Sequence, residues 1–206
     1  MIAALRRRLA DPALPARLQA LAGGAPASAP LSLTLELGAR ASDWLTALPA
    51  SGPFWYQAWP AQELFRLGIG HALQVGSAGP NRFAALDNAF AGLAGAWRHN
   101  APPLAFCGFA FDEQNPTPLA NALLAIPAVL LEARQGRCRA ILSTTAEKIP
   151  QAVAGWQKLL ASPALAGILT YHVVAGKVMA ADVIALPKPA AVPTLNGATF
   201  SVGADL

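Results

Sequence analysis

Charge is what this chain has least of. Only 13% of its 206 residues are Asp, Glu, Lys or Arg, against 54% hydrophobic. That balance is the reverse of a chain kept unfolded by self-repulsion, so disorder is excluded. With so few charges to cover the surface, exposed apolar patches are expected, screened by another chain or by sequence not present here. The positive excess is small, net +4, and its one basic run is Arg6, Arg7 and Arg8. No aromatic residues alternate with basic ones as a single-strand groove requires, which excludes nucleic acid as a partner. Cysteine is scarce too: Cys107 and Cys138 supply neither a disulfide framework nor a metal cluster and read as buried thiols. Long apolar runs are missing. The longest, Leu119 to Leu131, is too short to span a bilayer and contains Asn121 and Pro127. The N-terminal MIAALRRRLADPALP has no apolar stretch after its arginines, so it fits no export signal. A cytoplasmic protein without a membrane span is expected.

What the chain does have is room for one domain or one and a half. Ile2, Leu5 and Leu9 are helically spaced, but Pro12 and Pro15 predict a short helix with an irregular continuation. Gly23 to Pro30 has the composition of a flexible linker. Leu31 to Leu37 alternates leucine with Ser32, Thr34 and Glu36, the pattern of a half-buried strand. Ser42 caps a short helix toward Leu48. Phe54 to Trp59 predicts an aromatic strand serving as core or sheet surface. Asn81 is placed to cap the clearest helix, along one side of which run Phe83, Leu86, Phe90, Leu93 and Trp97. His99 and Asn100 then fall in a turn. The stretch PPLAFCGFAFD, Pro102 to Asp112, is apolar on both faces and reads as the central buried strand on which that helix packs. Val129 to Ala133 and Cys138 to Thr144 are predicted strands joined through a turn at Gly136. From Gln151 the character changes: Val153, Trp156 and Leu160 mark a helix, and a hairpin over Thr194 to Val202 turns at Asn196 and Gly197.

Chemistry is hard to assemble from these residues. The eleven acidic side chains are dispersed, and Asp112 and Glu113, adjacent in an extended strand, point to opposite faces. Gly68 and Gly70 begin a dinucleotide fingerprint, but Leu73 occupies the third glycine's place. His99 has no carboxylate nearby in sequence to orient it, and His172 sits in an apolar strand as a hydrogen-bonded histidine of a small core. No catalytic, cofactor-binding or metal-ligating residue is assigned.

Two family resemblances are carried by motifs. The order FWYQAWP (Phe54 to Pro60), GIG (Gly68 to Gly70), GFAFD (Gly108 to Asp112) and IPAVLLEARQG (Ile126 to Gly136) resembles the N-terminal half of isochorismate synthases, in the chorismate-binding enzyme family, over about Leu31 to Leu142. LTYHVVAGKV and TLNGATFSV resemble the second conserved region of fasciclin domains, over about Leu159 to Val202. The resemblances imply an α+β fold: a mostly antiparallel sheet with packed helices, part of the chorismate-binding-enzyme fold, then a small fasciclin-like α+β fragment. The implied divisions are 1–30, 31–148 and 149–206, joined near Thr145 to Leu160. The first resemblance implies a scaffold for converting chorismate to isochorismate. In that family the general base lysine, the general acid and the carboxylates that hold Mg2+ belong to the half that follows, so this chain alone is expected to be inactive, with that half or another chain as its partner. Lys177, in GKVMAAD, imitates the family's lysine strand, but Asp182 replaces its arginine. The second resemblance implies a binding or adhesion module in which Tyr171 and His172 are the interaction motif.

Overall fold

The computed structural model describes residues 2–38, 54–110, 120–161, 190–193 and 199–202. Its elements, in chain order, are α1 (Ile2–Leu9), α2 (Leu14–Ala22), β1 (Pro30–Glu36), β2 (Phe54–Trp59), β3 (Leu64–Ser77), α3 (Arg82–Ala96), β4 (Arg98–His99), β5 (Phe106–Phe109), β6 (Ala122–Arg134), β7 (Arg137–Thr145), α4 (Ile149–Ala161), β8 (Ala190–Pro193) and β9 (Thr199–Val202). The main sheet runs β2-β3-β6-β7-β1-β4, with β5 also paired to β6. Among the described strands of this sheet only the β1–β4 pair is parallel. The fold is therefore α+β with a mixed, largely antiparallel sheet.

The β6–β7 hairpin, which the turn at Gly136 predicts, lies at the centre of the sheet. Arg134 stands opposite Arg137, and the two residues between them, Gln135 and Gly136, have φ of 48° and 73°. A two-residue turn with both φ positive has the twist that antiparallel strands require, and glycine accepts it without strain. Pro127 interrupts β6 harmlessly because it faces a shift in the β3 register, between His71 and Leu73, where regular pairing lapses.

One face of the sheet is roofed by α1, α2 and α4. Leu5, Leu9, Leu14 and Leu18 are buried with Leu31, Leu33 and Leu35 of β1, Leu131 of β6, and Ile149, Trp156 and Leu160 of α4 in a single core. Each fully buried leucine contributes about 1.5–3 kcal/mol. Helices from both ends of the described sheet thus share one interior. The change in sequence character after Thr145 is not a break in packing.

Several sequence expectations are corrected by this arrangement. Pro15 does not break the N-terminal helix into coil but sits in the first turn of α2, where its missing N–H is harmless. The segment after α2 is not a flexible linker: Ala25 and Ala29 close backbone turns, and Ala29 and Ala27 accept bonds from Ala146 and Glu147. β1 is buried on both faces, because Trp97 Nε1 donates to Ser32 Oγ at 2.9 Å and Asn100 covers Thr34. The stretch around Gly108 is not the central strand. β5 has four residues, pairs only with β6 among the described residues, and buries Phe106 while leaving Cys107 and Phe109 exposed. Cys107 and Phe109 project from the same face of β5, which is not covered there, so Cys107 is not the buried thiol expected, whereas Cys138 is. α3 buries Arg82 and Leu86 but leaves Phe83 and Phe90 half exposed. Asn81 makes no side-chain cap; Arg82 instead donates to Gly79 O and Ala110 O, both at 3.4 Å. His99 lies in the short strand β4 rather than in a turn.

β8 and β9 form the expected C-terminal hairpin in a different register. Pro193 stands opposite Thr199, enclosing five residues, where a two-residue turn at Asn196 and Gly197 requires Thr194 there. The helix expected after Ser42, together with Asp112, Glu113, Tyr171, His172, Lys177 and the turn pair Asn196 and Gly197, lies outside the described residues.

Candidate functional site

The β3 irregularity places His71 where three elements meet. Trp55 of β2 donates its Nε1–H to His71 Nε2 at 3.3 Å, so the neutral imidazole carries its proton on Nδ1. Burial lowers the His71 pKa below its usual 6.5, against a hydrogen bond with the Gln74 side chain that raises it. On its other side Trp55 stacks on Phe106 of β5, with ring centroids 5.5 Å apart and planes within 10°. This contact sets what stands beneath: a Cβ on Gly68 would lie 2.9 Å from Phe106 Cε2 and 3.1 Å from Pro127 Cβ. The GIG and GFAF segments singled out in the sequence therefore meet in space, as packing surfaces.

His71 also borders a cleft of about 510 Å³ between the sheet and α4. Ala72, Ala128, Ser143 and Thr144 line the sheet side; Lys148, Gln151, Ala152, Gly155, Trp156, Lys158 and Leu159 line the other. The helix-side residues recur every three or four positions, which sets them on one face. Trp156, buried in the floor, donates its Nε1–H to Ser143 O at 3.1 Å. Among the described residues no carboxylate lines this cleft, and the charged side chains that do are Lys148 and Lys158. Sequence reading missed His71, Lys148 and Lys158. The spacing of Lys148, Gln151, Gly155 and Lys158 along one helix face was the available signal.

The other feature with chemical interest is Glu132. It is 4% exposed, and its carboxylate accepts from Arg66 Nε at 2.7 Å and from Arg139 Nη2 at 2.7 Å. Register alone assembles the set, since Arg66 and Arg139 flank Glu132 on the neighbouring strands. Arg66 also lies over the Trp59 ring at 5.6 Å. Both carboxylate oxygens are taken by guanidinium groups, so Glu132 is unsuited to a Mg2+ ion or a reacting proton. Among the described residues no three His, Cys, Asp or Glu side chains converge as a metal would need. Cys107 is exposed, but partial desolvation by its neighbours still raises its thiol pKa, which opposes reactivity. No helix among the described residues is long and apolar enough to cross a membrane.

A two-sided sheet, helices roofing one face, and aromatic motifs used for packing define a scaffold that carries no complete catalytic set among its described residues. The chain belongs to the chorismate binding enzyme family, whose sequence profile matches residues 27–166. That match runs through α4 to positions beyond the Leu142 limit expected from the motifs. Among solved structures the chain is similar to MenF, the menaquinone-specific isochorismate synthase from Escherichia coli, at 17% identity and a TM-score of 0.45. The likeness covers 73% of this chain and 33% of that one, so the chain spans about a third of the solved relative's length. No curated protein matches.

Proposed function

We propose that this chain is the scaffold portion of an isochorismate synthase-like enzyme and that it does not turn over chorismate alone. The family match over 27–166 carries this reading. Isomerising chorismate requires a base, an acid and a divalent metal to hold a carboxylate, and among the described residues no cluster that could hold the metal is brought together. In this reading the catalytic groups come from a second portion, on the same polypeptide or another, in the cytoplasm. That portion covers exposed aromatic side chains on more than one face: Phe54 and Tyr56 on one side of β2 and Trp59 on the other, Phe109 on β5, and Phe83 and Phe90 on α3. Incubation with chorismate and Mg2+, followed by chromatography, is expected to yield no isochorismate above the uncatalysed level. Formation of isochorismate overturns the reading.

A second reading rests on the motifs LTYHVVAGKV and TLNGATFSV: the C-terminal residues act as a fasciclin-like binding module. Its test is retention of the full chain on a carbohydrate or cell-surface array. Loss of that retention on Tyr171→Ala with His172→Ala supports it; absence of any retention removes it.

A further inference from the structure

β2 and β5 are not neighbours in the sheet, since β3 and β6 lie between them. Trp55 nevertheless spans the gap. It stacks on Phe106 of β5, and a Cβ on Gly108 would lie 3.5 Å from Trp55 Cη2. Phe106 is itself fixed, buried with Leu130 and Ile141. The indole is aimed by His71, whose Nε2 accepts the Trp55 Nε1–H at 3.3 Å. Stacking allows more than one offset between two rings, so the hydrogen bond is what selects this one.

That bond exists only while Nε2 keeps its lone pair. A proton there turns the acceptor into a donor that faces another donor. Turning the ring over offers no escape, because the imidazolium has no acceptor on either nitrogen. The surroundings do not compensate the charge either. β6 sets Pro127 opposite His71, β7 brings Ser143 and Thr144 to the same cleft, and β5 faces Trp55 with Phe106 and Gly108; none of these titrates. β3 contributes the neutral amide of Gln74, and α4 contributes Lys148 and Lys158, both cationic. The His71 and Trp55 rings lie 6.4 Å apart and are tilted by 41°, outside the reach of about 6 Å at which a cation gains from an indole face. The backbone is least constrained at the same point. Gly70 has φ of 62°, the β3 register shifts between His71 and Leu73, and the last rung to β2, Phe54 opposite Ile69, comes just before them.

We propose that His71 and Trp55 form an acid-sensitive latch on β2. With the imidazole neutral, Trp55 is held over Phe106 and β2 is fastened to β5. With it protonated, Trp55 is released and the Phe54 end of β2 opens from β3. Burial lowers the His71 pKa, so the latch is shut at neutral pH and opens on the acid side of the ordinary imidazole range. β2 carries Phe54, Tyr56 and Trp59 at the surface, so the movement changes how an aromatic surface is presented. The latch does not depend on whether the chain is part of an isochorismate synthase-like enzyme.

The test follows the full chain, labelled with nitrogen-15, between about pH 8 and about pH 5, on either side of the usual imidazole range. The Trp55 indole N–H signal, assigned through Trp55→Phe, is expected to move with the same midpoint as the His71 ring signals. Protection of the β2–β3 amides at Phe54, Trp55, Gly68 and Ile69, measured against the intrinsic exchange rate at each pH, is expected to fall about fivefold across that midpoint. Protection of the β6–β7 rungs is expected to stay as it is. His71→Gln keeps an acceptor for the indole without a titrating group and is expected to remove the pH dependence. Trp55→Phe removes the donor and is expected to do the same. A Trp55 signal that stays still while His71 titrates overturns the proposal. So does a loss of protection that extends equally to β6–β7, which marks general destabilisation, or one that persists in Trp55→Phe or His71→Gln.

Discussion

Glu132 shows how a single side chain depends on strand register. Its side chain is 5% exposed and its carboxylate is held between Arg66 and Arg139, an arrangement tolerable only because every charge in it is paired. Replacing it by glutamine keeps the shape but leaves two guanidinium groups without a counter-charge. Glu132→Gln is expected to lower stability by about 2–3 kcal/mol, below the loss for a fully buried pair because both arginines keep some contact with water. Urea denaturation at neutral pH measures it. His71 gives a pH dependence of definite sign. Its folded pKa lies below the usual imidazole value of 6.5, so the unfolded chain binds its proton more readily, and stability falls as pH drops below about 6.5. Its hydrogen-bond partners are Trp55 and Gln74, and Lys148 and Lys158 line the same cleft. The fall in urea midpoint between pH 7.5 and pH 5.5, settings on either side of the usual imidazole range of about 6.5, is expected to be smaller in His71→Gln.

Among the elements, β1 departs most from its sequence pattern, because another element completes it. β4 pairs only Arg98 and His99 with Leu31 and Ser32. Beyond that, the Asn100 side chain takes over, accepting from Thr34 N at 2.7 Å and donating to Thr34 O at 3.1 Å. The amide group imitates the next rung of a ladder, so the Thr34 backbone is satisfied without a longer strand. Asn100→Ala leaves a buried N–H without its partner and is expected to destabilise by about 1–3 kcal/mol. Thermal unfolding detects the loss, and amide exchange at Thr34 localises it. Alternation of leucine with Ser32 and Thr34 is locally indistinguishable from a half-solvated strand; only Trp97 and Asn100, more than sixty residues away, make the second face dry. The reverse holds for β5, whose apolar sequence suggested an interior and whose position at the margin of the sheet leaves Phe109 half exposed.

At the scale of the whole molecule, the N-terminal helices are part of the core rather than a preface to it. Leu5, Leu9, Leu14 and Leu18 are each no more than 2% exposed. A chain beginning at Ala29 would bare the apolar face of β1 and α4, and is expected to lose near-ultraviolet circular dichroism while keeping much of its strand signal. An unchanged near-ultraviolet spectrum would show that α1 and α2 contribute little to packing. The sequence by itself determined the elements whose signals are local: the β6–β7 turn at Gln135 and Gly136, the aromatic strand from Phe54, the helices around Leu86 and Trp156, and the motif order that marks the family. These follow from backbone tolerance and side-chain period over a few residues, which neighbours in the chain suffice to express. Tertiary structure alone decided which strands are central, that α4 shares an interior with α1 and α2, and that Lys148, Lys158 and His71 border one cleft. Those facts depend on which surfaces meet after the sheet is assembled. Burial is a property of the partner as much as of the residue, and no stretch of sequence carries its partner with it.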